Sequence, residues 1–312
     1  MNHFFLVGSV RSGTTLLRLM LDHHPQLGCF GEFEYAVDPL TDPTAPPSGA
    51  EFANWLGSER RFAAMKLSAD PSLDYHAIAH SLLDQLASRV DKPFVMTGMS
   101  VHRNFERLAA IWPHAKFIYL YRDGRDVARS CRQMGWAGHL HHAAGFWEAA
   151  EASWKTLREL VPAEQCYEIC NESLVQNPSA ELASLCDHLG VDFSEQMLHY
   201  HVDTNYQPPD PSRLWQWKRK LTRAELGVLE ARIGEQLRLR GYEPSGVEAV
   251  PASASKRLWY EIQNRWGKHR FRIRRFGLSL WATELLARKL RLTRLERGSS
   301  ARIRRIAVNH LQ

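Results

Sequence analysis

Short runs of consecutive apolar residues alternate along the chain with longer stretches in which apolar residues recur every three or four positions. The short runs predict strands over 4–7, 63–67, 94–99, 116–121 and 165–169. Between the second and third of these, Ile78, Leu82, Leu83 and Leu86 fall at helical spacing and predict a crossover helix. A further helix is expected to close at Pro113, just before the strand at 116. The proline-rich stretch 40–53 predicts a surface loop. Strands alternating with helices predict an α/β fold, a P-loop-type parallel β-sheet flanked by helices.

Composition adds limits to that pattern. The 312 residues are 44% hydrophobic, enough for a substantial core. No apolar run approaches the ~20 residues that span a bilayer, and the first strand begins within four residues of the start, so a cytoplasmic protein is expected. Five cysteines without C-x-x-C spacing indicate neither a disulfide framework nor a zinc site, and no metal is expected.

The net charge of +6 is unevenly spread. Residues 256–312 hold 16 Lys and Arg against three acidic residues, a net of +13, which leaves −7 for residues 1–255. The expected organisation is a main domain over 1–245, a linker over 246–255 and a basic, mostly helical C-terminal extension over 256–312. Within the extension, 277–292 has apolar residues at helical spacing with Arg288, Lys289 and Arg291 at one end. Four readings stay open for it: acceptor or partner binding, peripheral contact with the inner membrane surface, packing on the rest of the chain, or nonspecific nucleic-acid binding. Specific nucleic-acid binding is not expected.

The chemistry begins at Gly8-Ser9-Val10-Arg11-Ser12-Gly13-Thr14-Thr15, between the first strand and a helix. The glycine spacing is that of a phosphate loop, but Thr14 stands where a nucleoside-triphosphate site carries lysine. Backbone amides at a helix N-terminus still favour an anion, with Arg11 as the cation and Ser12, Thr14 and Thr15 as hydroxyl donors. The other reading is an ordinary strand-turn-helix whose hydroxyls cap the helix. A second anion site is suggested at the end of the fourth strand, where Arg122-Asp123-Gly124 leads into a helix carrying Ser130. The competing reading there is a surface turn with compensating charges.

Together, "VGSVRSGTTLL" and "FIYLYRDGRDVARS" resemble the sulfotransferases that use 3′-phosphoadenosine 5′-phosphosulfate (PAPS), and the likeness extends over roughly residues 1–245. The resemblance implies that Arg11, Ser12, Gly13, Thr14 and Thr15 bind the 5′-phosphosulfate end. It implies that Arg122 and Ser130 bind the 3′-phosphate. It also implies that Lys218 and Arg219, in "LWQWKRKLTRAEL", belong to a basic loop over the nucleotide. Ungapped spacing from Arg11 puts the acidic residue of the tyrosylprotein and carbohydrate branches at Glu32, the preferred base. His102 follows the third strand, where the cytosolic small-molecule branch has its histidine base, and is the other candidate. The chain departs from many bacterial members in reading "TGMSVHRN" where they carry a lysine.

The implied reaction moves a sulfuryl group in line from PAPS to a hydroxyl of a carbohydrate, glycolipid or other small acceptor, without metal. A noncatalytic polyanion-binding protein and a P-loop kinase are the rival functions. Structural roles are expected elsewhere. Glu34 is the nearest substitute for Glu32 but is read first as a solvated loop carboxylate, and His139, His141 and His142 as a solvated acceptor-side loop. Trp147 and Trp154 are read as core, and His23 and His24 as the end of the first helix.

Overall fold

The computed structural model describes residues 2–90, 92–290 and 302. It divides into two compact units, residues 1–123 with 146–216, and residues 124–145 with 217–312. The expected boundary at 246–255 followed composition along the chain, whereas the units interleave. Beyond residue 290 the basic extension lies outside the described residues, apart from 302.

The first unit holds a parallel sheet in the order β2-β3-β1-β4-β5, formed by Asn2–Val7 (β1), Leu27–Glu32 (β2), Met96–Val101 (β3), Lys116–Tyr121 (β4) and Cys166–Cys170 (β5). Side chains alternate between its faces. Phe5 and Val7 join Phe117 and Tyr119 in one buried cluster, where Ile78, Leu82 and Leu83 of the helix Tyr75–Ala87 cover the sheet. Phe4 and Leu6 join Ile118 and Leu120 in the other, beneath the helices Thr14–Asp22 and Pro178–Leu189. Trp147 and Trp154 are buried core residues, the latter stacked on Tyr119 at 4.8 Å. His23 caps the first helix, and buried His24 hydrogen-bonds to the Asp192 carbonyl.

Two predicted elements differ. The run at 63–67 is not a strand: Arg60–Met65 is a helix, ended by Lys66 in the left-handed region. Alanine, methionine and arginine are good helix formers, and a short apolar run carries no period to separate the two states. The missing strand is β2, whose Gly28 and Gly31 make its sequence look like a turn. A Cβ at Gly28 would come within 2.7 Å of the Phe94 ring, so the glycine serves close packing. The 40–53 stretch is loop only to Ser48, which caps a helix starting at Gly49.

The second unit is built from the helices Gly124–Gln133, Arg223–Leu239, Ala254–Phe276 and Leu278–Lys289, with the turn Trp217–Lys220. The Arg122-Asp123-Gly124-Arg125-Asp126 stretch is not a solvated turn, since Asp123, Arg125 and Asp126 are buried. Arg125 pairs with Glu230 at 2.7 Å and lies over the Trp217 ring at 3.7 Å. Asp126 accepts a hydrogen bond from the Trp217 amide at 2.9 Å. These contacts fix the turn that carries Lys218 and Arg219.

Candidate active site

Strand order decides which residues meet. β1 lies between β3 and β4, and the chain turns to opposite sides of it, which makes the carboxyl end of β1 a switch point where ligands bind. Val7 is level with Val101 and with Tyr119. The loop starting at Gly8, His102 after β3 and Arg122 after β4 therefore emerge on one edge. β2 pairs with β3 through an irregularity between Cys29 and Glu32, bringing Glu32 level with Ser100 on that edge.

The loop Gly8–Gly13 is shaped for close approach. A Cβ at Gly8 would lie 2.4 Å from the Leu120 carbonyl oxygen, and one at Gly13 would lie 2.2 Å from Asn171 Oδ1. Gly13 has φ +98 and Arg11 φ +68, both in the left-handed region. Gly13 caps the helix Thr14–Asp22 without a side-chain hydrogen bond; its carbonyl takes the Leu16 amide at 2.9 Å, which leaves the Thr14 and Thr15 amides to a ligand. Ser12 Oγ is buried without a hydrogen-bond partner among the described residues. Arg11 itself is exposed, and its carbonyl accepts a hydrogen bond from Arg122 Nη1 at 3.4 Å. Bare helix amides, an orphaned buried hydroxyl, an exposed arginine and glycine-only clearances fit a bound phosphate group.

Beside the loop lies a cavity of about 230 Å³ lined by Thr14, Thr15, Arg18, Gly31, Glu32, Ser100 and His102. A chain of contacts runs along it. Thr14 Oγ1 is 2.8 Å from His102 Nε2, and His102 Nδ1 is 2.6 Å from Glu34 Oε1. Arg61 then bridges Glu34 Oε2 at 2.6 Å and Glu32 Oε2 at 2.7 Å. Glu34 is not the solvated carboxylate that its sequence neighbourhood suggested, being 2% exposed, whereas Glu32 is 47% exposed. Burial pushes the Glu34 carboxyl up, but the hydrogen bond and charge of His102 with the charge of Arg61 outweigh it, leaving the group below the ordinary carboxylate range. In the neutral form of the ring, Nδ1–H donates to Glu34 and Nε2 carries the lone pair that faces Thr14.

Sequence reasoning missed Arg18, Arg61 and Asn171 as parts of this site, and ranked Glu34 only as a substitute for Glu32. Arg18 was legible, standing one turn after Thr14 on the same helix face. Arg61 was hidden by the mistaken strand over 63–67.

Among the other expected residues, Ser130 is buried on the helix Gly124–Gln133, and Lys218 and Arg219 occupy the turn packed on that helix. His139, His141 and His142 do not form a solvated loop. His139 stacks on Tyr260 at 4.3 Å, and His142 pairs with Glu261 at 2.7 Å. No group of side chains suited to a metal ion occurs among the described residues.

A phosphate loop at the switch point of a parallel sheet, beside a histidine-carboxylate pair, defines a nucleotide-dependent group-transfer enzyme. The chain belongs to the sulfotransferase family, whose description matches residues 3–195. It is a PAPS-dependent sulfotransferase.

Protein-tyrosine sulfotransferase A of Caenorhabditis elegans is 22% identical over 273 residues, covering 78% of this chain and 68% of that protein. Protein-tyrosine sulfotransferase 1 of Danio rerio is 29% identical over 214 residues, covering 63% and 55%. The fold matches the sulfotransferase domain of the Synechococcus PCC 7002 olefin synthase, with TM-score 0.59 and 23% identity, over 78% of this chain and 95% of that one. It also matches the sulfotransferase domain of the curacin biosynthetic pathway, with TM-score 0.57 and 19% identity, over 78% and 98%.

Proposed function

We propose that the chain sulfates a phenolic hydroxyl, the tyrosyl side chain of a peptide being the first acceptor class, and that His102 oriented by Glu34 is the general base. The Glu34–His102–Thr14 chain of contacts along the cavity carries this reading. Bound PAPS supplies an activated sulfuryl group. His102 Nε2 accepts the acceptor hydroxyl's proton as the new O–S bond forms and the bond from sulfur to the 5′-phosphate oxygen breaks. Arg11, Thr14, Thr15 and the loop amides take up the charge that grows on the departing phosphate. The assignment of Arg122 and Ser130 to the 3′-phosphate, and of Lys218 and Arg219 to the nucleotide, rests on the sequence resemblance.

The acceptor class is supported by the named activity of the relatives, which favours a tyrosyl hydroxyl over the carbohydrate or glycolipid expected from the sequence. A second reading keeps Glu32 as base, because it lines the same cavity and is half exposed. Its carboxylate is already engaged by Arg61, so His102 is the preferred base. All five cysteines are unpaired, which supports a reducing, cytoplasmic setting. Among the described residues no helix is long and apolar enough to cross a membrane.

The test is PAPS-driven sulfation of a tyrosyl peptide beside a saccharide panel, with thermal stabilisation by adenosine 3′,5′-diphosphate measured in parallel. Peptide sulfation with stabilisation supports the reading. Sulfation of saccharides alone overturns the acceptor class while leaving the donor in place.

A further inference from the structure

The helix Ala254–Phe276 carries two apolar faces, and the second unit uses one of them. Tyr260, Asn264, Gly267 and Phe271, spaced by four, three and four residues, form the inner face. Tyr260 stacks on His139, Asn264 Oδ1 accepts from the Gly138 amide at 2.8 Å, and a Cβ at Gly267 would come within 2.6 Å of Gly138. Phe271 packs at Gly135. The following helix, Leu278–Lys289, folds back on the C-terminal half through Trp281 against His269 and Glu284 against Arg272.

The opposite face of the N-terminal half is left to solvent. Leu258, Trp259, Ile262 and Trp266 are all exposed, Trp259 at 56% and Trp266 at 65%. Trp259, Ile262 and Trp266 are spaced by three and four, and Leu258 stands four before Ile262, which places all four on one stripe. Soluble proteins rarely expose two tryptophans and two aliphatic residues in a row without a use. The charge around the stripe narrows what covers it. The helix has eight Lys and Arg against one acidic residue, Glu261, which is already paired with His142 and Arg265. Lys256, Arg257, Arg265, Lys268 and Arg270 are exposed beside the stripe.

We propose that this stripe docks the protein on an anionic lipid bilayer surface, the helix lying in the interface with Leu258, Trp259, Ile262 and Trp266 inserted and the basic side chains against the headgroups. Tryptophan suits the boundary because its ring is apolar and its N–H stays wet. Basic residues near an anionic surface add attraction that salt screens. A purely apolar partner surface would leave this charge unmatched. The stripe differs from the 277–292 segment that sequence periodicity singled out, and it stands independently of the sulfuryl-transfer reading.

The test uses the full chain with vesicles of phosphatidylcholine alone and of phosphatidylcholine with phosphatidylglycerol. We expect cosedimentation only with the anionic vesicles, weakening at high salt, and a tryptophan emission shift to shorter wavelength on binding. Trp259→Ala with Trp266→Ala is expected to lower vesicle affinity at least tenfold, and Trp259→Phe with Trp266→Phe to restore most of it. Far-ultraviolet circular dichroism and stabilisation by adenosine 3′,5′-diphosphate serve as fold controls. Three results would overturn the proposal: no vesicle binding, binding indifferent to both tryptophans, or a lipid-free dimer that the alanine pair dissolves, which would assign the stripe to a second copy of the chain.

Discussion

At the scale of single residues, the site turns on where two nearby glutamates point. Glu32 and Glu34 leave the strand end two positions apart, yet one is half exposed and the other buried against His102. Spacing alone favoured the exposed one, because the resemblance pointed to its position. The buried one was hidden because its partner lies 68 residues away. Arg11, Thr14, Thr15 and His102 were legible because the loop motif and the strand that carries His102 are local signals.

Glu34→Gln should keep the hydrogen bond to Nδ1–H while removing the charge. Turnover is expected to fall with KM little changed, since the imidazolium that forms as the hydroxyl proton arrives loses its countercharge. A merely structural Glu34 would lower thermal stability without that split between kcat and KM. Stability should respond as well. A carboxyl held below its ordinary value of 4.5 contributes stability above that pH and loses it as pH falls through the lowered value. Acid unfolding of the wild type is therefore expected to flatten in Glu34→Gln, measured as melting temperature against pH.

At the scale of elements, the alternating runs placed β4 at its true bounds and β1, β3 and β5 within two residues of theirs. They missed β2 because a strand at the sheet edge, packed against Phe94, tolerates glycines that a central strand pattern excludes. The phosphate loop depends on one of these conformational details. In Gly13→Ala the added methyl meets Asn171 Oδ1 at a left-handed φ, and a loss of about 1 kcal/mol or more is expected together with loss of adenosine 3′,5′-diphosphate binding. Calorimetry with and without the nucleotide reads both effects.

In the second unit the basic helix is seated on histidines rather than on aliphatic core. Burial first, and neighbouring positive groups after it, depress His139 and His141 to about 4. The unfolded chain takes up these protons near 6.5 and the folded unit only near 4, so stability contributed here is lost as pH falls between those values. Amide-exchange protection over 254–276 should decline across that window, and His139→Gln should shallow the decline.

At the scale of the whole molecule, charge segregation showed that the C-terminal region differs from the rest, but not which residues it packs with. Composition changes at 246–255, while packing joins 124–145 to 217–312, because Asn264 and Gly267 reach back to Gly138. Such long-range pairings leave no periodic trace. The parallel sheet and phosphate loop, by contrast, are written in local runs and agree with the family match over residues 3–195.

The central claim is that this sheet edge transfers a sulfuryl group with His102 as the base. Its most direct test is the rate of adenosine 3′,5′-diphosphate release from PAPS with a tyrosyl peptide, compared among wild type, His102→Ala and Glu32→Gln. The expected result is a ~10²–10⁴-fold loss in His102→Ala and a loss below about tenfold in Glu32→Gln. Thermal stabilisation by the diphosphate, ~2.7 kcal/mol at 100 times its Kd, should be retained in both variants. Wild-type turnover by His102→Ala, with Glu32→Gln inactive, would contradict the account and move the base to Glu32.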